Sequence, residues 1–390
     1  MKKLLFISTR KEFEKVRLYK DEGLLPYYLG KEYKLEVDFL CSNIKKWMPE
    51  YFRNIKIIEK KTYLQVFNKN KIMNNLFLDY ILYIIKYSKK YDYLQFFQIH
   101  AAKSLLIFLY KLLNPKGKVY LKLDIELKSI EQFNNENMIK KFCHRYMLKN
   151  IDLFSCETKE CYQKILHNNI LGINISKKIA YIPNGFDEEY LKENNIKIKS
   201  FEEKENVMIT VGRIGTEQKN NEMLLESLNN IDLKNWKIYI IGPYTEEFKI
   251  KYEKFIKNNQ DKKESVILTG NIENKNLLYD YYNKAKVFLL TSRWGSFEIV
   301  LSEALRFGDY IITTNVGTAT EITDNRKIGV VTEIENIIQF KNEVLKIIDN
   351  KINLEEKYNK SLELSKRQFL WNEIVKDKKL KEFFGAEGNE

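Results

Sequence analysis

The sequence predicts an α/β chain of two doubly wound, Rossmann-like domains, and three observations predict it. Its 390 residues exceed what one hydrophobic core usually organises. It is 44% apolar and 31% charged with only 5 Pro, which excludes disordered and collagen-like classes. In its second half, short apolar runs alternate with amphipathic stretches, the pattern of a parallel sheet covered by helices on both faces.

The runs in that half are 206–212, 236–242, 265–270, 287–291 and 310–314. Between them, helical spacing covers 220–230, 246–258, 274–285 and 298–307. Such sheets take ligands beyond the carboxyl ends of their strands. The first half follows the same rhythm less cleanly, with strands expected at 3–8, 34–40, 55–58, 93–97, 118–123, 152–156 and 179–182. Pro183-Asn184-Gly185 closes the last of these and a charged, Asn-rich segment follows. The expected division is therefore 1–190 and 191–365, and beyond about residue 350 the chain reads as helix. The final residues, 385–390, lack apolar anchors and are expected to fray.

Charge is distributed unevenly. Residues 1–200 carry 37 Lys+Arg against 22 Asp+Glu, so the overall charge of +13 resides in the first half. Either that half meets an anionic partner, such as a membrane surface, a phospholipid-linked acceptor or nucleic acid, or its surface is simply Lys-rich. No nucleic-acid-binding motif is recognisable, and the basic half lacks the phosphate-type loops described below, so nucleic acid is not expected. No apolar run reaches the ~18 residues of a membrane span. The segment from Leu76 to Ile85, followed by Lys86, Lys89 and Lys90, suits an interfacial helix or an ordinary buried one. Cys41, Cys143, Cys156 and Cys161 form no metal-type spacing and read as reduced thiols of a cytoplasmic protein. Three histidines, His100, His144 and His167, argue against a His-based metal site or triad.

Three loops carry the chemistry. After the run 206–212, Gly212 and Arg213 lead to Lys219 and a helix. Glycine lets backbone approach a ligand, and Arg and Lys suit phosphate. A routine basic loop is the plain alternative. After 287–291, Thr291 to Glu298 (TSRWGSFE) opens a helix whose first amides, at Ser296 to Ile299, would face an anion. Glu303 on that helix either accepts two ribose hydroxyls or is an exposed residue paired with Arg306. A third small-residue loop, Asn315 to Ile322, follows the next strand.

Together these pieces resemble the donor domain of glycosyltransferase family 4, the retaining, metal-independent GT-B enzymes. The matching segments are VGR…K at 211–219, SRW…F…V…EAL at 292–305, TTNVGTATEI at 313–322 and the Ile182 to Asp187 linker. The terminal Phe369-Leu370-Trp371 is similar to the family's last helix, which implies a helix over about 366–384 that rejoins the first domain. The resemblance implies two domains facing across a cleft, the first for acceptor and the second for donor. It implies hexose transfer from a UDP- or GDP-linked sugar to a lipid-linked or surface-glycan hydroxyl, as in capsule or lipopolysaccharide synthesis, with no cofactor. Work at the inner face of the cell membrane would follow.

The same resemblance implies that Arg213 and Lys219 grip the diphosphate, with Gly212 in close approach. Glu303 would hold the ribose. Gly295, Ser296, Phe297, Glu298 and Ile299 would line the sugar and phosphates, and Gly270 and Asn271 the base. Two departures stand out. The family's first glutamate would fall at position 295, which is Gly295, while Glu298 stands where glycine is usual. The sugar-facing carboxylate is thus either missing, which would suit a degenerate, nucleotide- or glycan-binding partner subunit, or supplied by Glu298 from another angle. In the first half the family's glycine pair is replaced by Ser8-Thr9-Arg10, and its His-Asp by Leu123-Asp124. Asp124 and Lys122 then either touch sugar or acceptor or form a salt-bridged strand end.

Overall fold

A strand buried on both faces must be apolar at consecutive positions, and KLLFI at β1 (Lys3–Ile7) is built that way. In the computed structural model, which describes residues 1–10, 12–42, 48–60 and 72–385, Leu4 and Phe6 enter one core cluster and Leu5 and Ile7 another. The alternation of side chains thus feeds two hydrophobic layers, one per sheet face.

The chain forms two compact units: Met1–Pro183 with the segment from Trp371, and Asn184–Leu370. The first unit contains β1, β2 (Glu36–Ser42), β3 (Tyr51–Phe52), β4 (Ile55–Lys60), β5 (Tyr93–Phe97), β6 (Lys118–Lys122), β7 (Leu153–Cys156) and β8 (Ile179–Tyr181). Their order is β3-β4-β2-β1-β5-β6-β7-β8, parallel throughout except for the β3–β4 hairpin. The two-residue β3 is too short to leave a periodic signal, and it was not expected from sequence.

The second unit contains β9 (Val207–Val211), β10 (Lys237–Ile241), β11 (Val266–Gly270), β12 (Val287–Leu290), β13 (Tyr310–Thr314) and β14 (Gly329–Thr332). All six are parallel, in the order β11-β10-β9-β12-β13-β14. This is the doubly wound arrangement whose direction reverses between β9 and β12, and the crevice at such a reversal is where these sheets bind ligands.

Two sequence expectations are corrected. Residues 184–190 belong with the second unit, because Phe186 packs into its core and its amide pairs with the Phe369 carbonyl at 2.6 Å. No single helix covers 366–384. The helix Leu354–Gln368 stops where Phe369 and Leu370 turn into that pairing, and two short helices, Trp371–Ile374 and Lys378–Phe384, follow in the first unit. Trp371 is fully buried there, beneath the Lys122 ammonium at 5.3 Å from its ring. The expectation for 386–390 lies outside the described residues.

Candidate donor site at the strand ends of the second unit

The loops leaving β9 and β12 flank the reversal point, and hydrogen bonds stitch them together. The Arg293 amide donates to the Gln218 carbonyl at 2.8 Å, the Gln218 side-chain amide to the Trp294 carbonyl at 3.0 Å, and the Thr291 hydroxyl to the Lys219 carbonyl at 3.0 Å. This brings Lys219 to Glu298: the ammonium and Glu298 Oε2 are 2.5 Å apart, with both side chains about nine-tenths buried. A buried ion pair of this kind is costly to assemble and very costly to break by removing one partner.

The other carboxylate oxygen, Glu298 Oε1, is buried without a hydrogen-bond partner. It lies over Gly295, where any Cβ would collide with it. The carboxylate of Glu298 therefore folds back onto position 295. Ser292 Oγ and Thr318 Oγ1, on the same loop and on the loop after β13, are likewise buried and unpartnered. Gly317 takes φ +45°, and a Cβ there would strike the Ser296 carbonyl, so the third loop is pressed against the second. Buried polar atoms left open at one sheet edge call for a ligand or water to complete them.

Glu298 also occupies the N-cap of the helix Ile299–Arg306, and no side chain caps that end. The helix start therefore keeps amide donors and the positive end of the dipole toward the edge, a setting that favours an anion. Arg213 is exposed on the first loop, its guanidinium 2.5 Å from Gln218 Oε1. A Cβ at Gly212 would meet the Lys219 side chain at 3.7 Å. Ser296 and Ile299 are partly buried beside Glu298, while Phe297 points into the core, with its ring centroid 6.5 Å from that of Phe369. Gly270 ends β11 at φ +78°, beside the Tyr244 ring, and accepts a hydrogen bond from the Gly242 amide; Asn271 is exposed next to it.

Glu303 is neither exposed nor paired with Arg306. The phenols of Tyr282 and Tyr279 donate to it at 3.0 and 3.4 Å, and both phenol pKa values are pushed up by burial and by the carboxylate. Arg306 instead grips Glu188 through two hydrogen bonds of 2.6 and 2.7 Å. That pair walls a separate cavity of about 530 Å³. Sequence reasoning also missed Glu335, which Arg293 and Asn220 hold from opposite sides and whose pKa is lowered by the Arg293 hydrogen bond. A partner 42 residues away leaves no local pattern to read.

Asp124 and Lys122 belong to the first unit. Asp124 sits just past β6 at φ +45°, with its amide on Glu157 at 3.0 Å and its carboxylate taking the Gln98 amide at 2.8 Å. Lys122 is fully buried, 3.8 Å from Glu157 and hydrogen-bonded to the Ile182 carbonyl, so it is a core residue and does not reach a ligand. His100 is exposed, and His144 is paired with Glu136 at 2.7 Å.

Residues 192–364 match the family model described as Glycosyl transferases group 1. Among curated proteins, the chain is 30% identical over 148 residues to an uncharacterised 41.2 kDa protein in the cps region of Klebsiella pneumoniae, covering 38% of this chain. The matched parts span only 37% and 51% of the first two curated relatives. Among solved structures it resembles sucrose-phosphate synthase from Thermosynechococcus elongatus, with TM-score 0.69, 14% identity and 96% of both chains covered. The Anabaena protein HepE, solved with UDP and glucose, gives TM-score 0.67 at 12% identity, covering 96% of this chain and 98% of that one. The fold is the mixed α/β, two-sheet fold of such proteins.

Proposed function

We propose, for a chain whose residues 192–364 form a glycosyl transferases group 1 domain of a GT-B fold, that it is a retaining hexosyltransferase. The donor is a UDP- or GDP-linked sugar seated at the β9–β12 reversal, and the acceptor a hydroxyl of a lipid-linked or surface glycan, as for capsule or lipopolysaccharide. The observation that carries this reading is the buried Lys219–Glu298 pair with its open Glu298 Oε1, beside a helix start that no side chain caps.

In this reading the diphosphate lies along the start of the helix Ile299–Arg306, with Arg213 and Lys219 neutralising it. Glu298 Oε1 accepts a hydroxyl of the sugar, and Oε2 keeps the Lys219 ammonium aimed at the phosphates. The acceptor oxygen bonds to the anomeric carbon as the bond from that carbon to phosphate breaks. The acceptor's proton passes to the leaving phosphate on the same face, so configuration is retained and no protein nucleophile is needed. Arg213 and Lys219 stabilise the departing diphosphate charge, the task a divalent metal performs elsewhere. Glu303, held by two phenols, is the ribose ligand only if those phenols yield to the diol. Asp124 is proposed to orient the acceptor. The Klebsiella relative from a cps region supports a surface polysaccharide as product, and HepE, solved with UDP and glucose, supports a UDP-linked donor. The protein would work in the cytoplasm, at the inner membrane face.

The test is a thermal-shift screen with UDP, GDP, ADP and their sugars, followed by a donor-hydrolysis assay. Ligand at about 100 times its Kd stabilises the native state by about 2.7 kcal/mol, a shift of a few degrees. Stabilisation by one nucleotide and release of its sugar are expected. No shift with any of them would overturn the donor site, and binding without hydrolysis or transfer would favour a degenerate, nucleotide-binding subunit.

A further inference from the structure

Three helices, Ile72–Tyr87, Lys103–Leu113 and Met138–Asn150, lie side by side on one face of the first unit's sheet. Their inward residues share one core cluster, among them Tyr80, Ile84, Leu106, Tyr110 and Met147. The Phe108 and Tyr146 rings, 6.1 Å apart, join the second helix to the third. Each helix also carries a second apolar stripe, on its outward side. On the first helix it is Leu78, Leu82 and Ile85, at i, i+4 and i+7; on the second, Leu105, Phe108 and Leu112, at i, i+3 and i+7. The third exposes Met138, Ile139 and Phe142 by 80, 77 and 73%. These nine residues are half of the large hydrophobics exposed among the described residues. Single exposed apolar residues are ordinary, but a contiguous layer of them marks an interaction surface.

The charge on this layer is one-sided. The second and third helices contain no acidic residue, and the described part of the first contains only Asp79. Lys86, Lys89 and Lys90 are exposed at the end of the first helix, and Lys140, Arg145 and Lys149 on the third. An apolar stripe flanked by cations matches the headgroup–acyl boundary of an anionic bilayer, with apolar side chains inserted and lysines reaching to phosphate. A second copy of the same face would bring like charges together. No helix among the described residues is long and apolar enough to cross a membrane.

We infer that the outward face of these three helices docks the protein peripherally on an anionic lipid surface, with Met138, Ile139 and Phe142 as the inserting edge. The inference deepens the lipid-linked-acceptor reading, but its measurement needs no transfer activity. Full-length protein is sedimented with vesicles of phosphatidylcholine alone and of phosphatidylcholine with phosphatidylglycerol. Binding only to the anionic vesicles is expected, weakening as salt rises. The exposed double variant Ile139→Glu/Phe142→Glu should lower the partition by at least ~tenfold, and Lys140→Ser/Lys149→Ser should remove most of the salt dependence. Nucleotide-induced thermal shifts should be unchanged in both, which checks the fold and separates failure here from failure of the donor site. Absence of binding to anionic vesicles, or equal binding by the Glu variant, would overturn the inference. So would a dimer in sedimentation velocity that the Glu variant dissolves, which would give the face to a second copy.

Discussion

The carboxyl edges of the two sheets are built from opposite materials. In the second unit the edge is made of glycine loops pressed together: Gly242 and Gly317 let backbone approach backbone, Gly212 and Gly295 leave room for the Lys219 and Glu298 side chains, and these form one buried ion pair. In the first unit the corresponding edge is filled by long polar side chains. Arg10 and Ser8 close on Glu22, Lys103 caps the Phe97 and Gln98 carbonyls, and Gln98 holds Asp124. Gln98 and Asp124, at the ends of neighbouring strands, both take left-handed backbone at φ +59° and +45° without being glycine. That conformation costs about a kcal/mol or more per residue and persists where surrounding bonds enforce it. On the proposed function, one edge would expose main chain for a phosphate and the other would fix side chains to sort hydroxyls.

The largest expected effect tests that division. Lys219→Ala should lower transfer roughly a hundred- to a thousandfold and weaken nucleotide binding about tenfold or more, because a charge-assisted contact contributes ~1.5–3 kcal/mol and more once the leaving group develops charge. Asp124→Asn should instead leave the nucleotide-induced thermal shift alone while raising the KM for acceptor. Glu298→Gln, which keeps the shape beside Gly295, controls for simple loss of packing. If Lys219→Ala and Asp124→Asn produce the same profile, the two edges do not have separate tasks.

The first five strands of the second unit were legible because they are continuous apolar runs between periodic helices, and Glu246–Asn258 appears with the limits the pattern predicted, whereas the four-residue edge strand β14 was not expected. The convergence of the loops after β9 and β12 was legible too, since both follow strands and carry Gly with basic residues. What escaped was anything decided by folding back in space. That Glu298 supplies the carboxylate missing at 295 was one of two readings, and only the fold shows that carboxylate lying over Gly295. Lys122 was open to two readings, a ligand contact or a salt-bridged strand end, and only the tertiary arrangement of Glu157, Phe97 and Trp371 decides for the second. Glu303 lost its expected freedom to two tyrosines about 21 and 24 residues away.

A smaller effect sharpens the comparison within the glycine-rich edge. Gly295→Glu alone should impair transfer about tenfold, because its Cβ needs the space of Glu298 Oε1. Glu298→Gly alone should do similar or greater harm, since it leaves the Lys219 ammonium buried without its partner. The exchange Gly295→Glu/Glu298→Gly restores one carboxylate beside Lys219 and should recover most of the activity. The coupling between such neighbours is ~0.5–3 kcal/mol. Additive losses in the double variant would mean that the two positions do not supply the same carboxylate.

The smallest expected effect belongs to the filled edge and is read as stability against pH. Burial lowers the Lys103 pKa from 10.5 to about 7. Between those values the unfolded chain holds a proton that the folded unit has released, so Lys103 makes the protein more stable as pH rises through that window. Two other buried groups of the first unit act in the opposite sense. Burial raises Asp21 to about 6 and Glu157 to about 8, so each folded carboxyl keeps a proton the unfolded chain has lost, and stability falls as pH rises toward those values. Both opposing contributions are common to the wild type and a Lys103 variant, so they cancel in the difference between the two proteins and leave the lysine limb. Between about pH 8 and about pH 9 the wild type should therefore gain up to about 1.4 kcal/mol relative to Lys103→Met, seen by urea denaturation at each pH. Parallel stability curves for the two proteins would place the Lys103 ammonium in water, and the first unit's edge would then be open rather than filled.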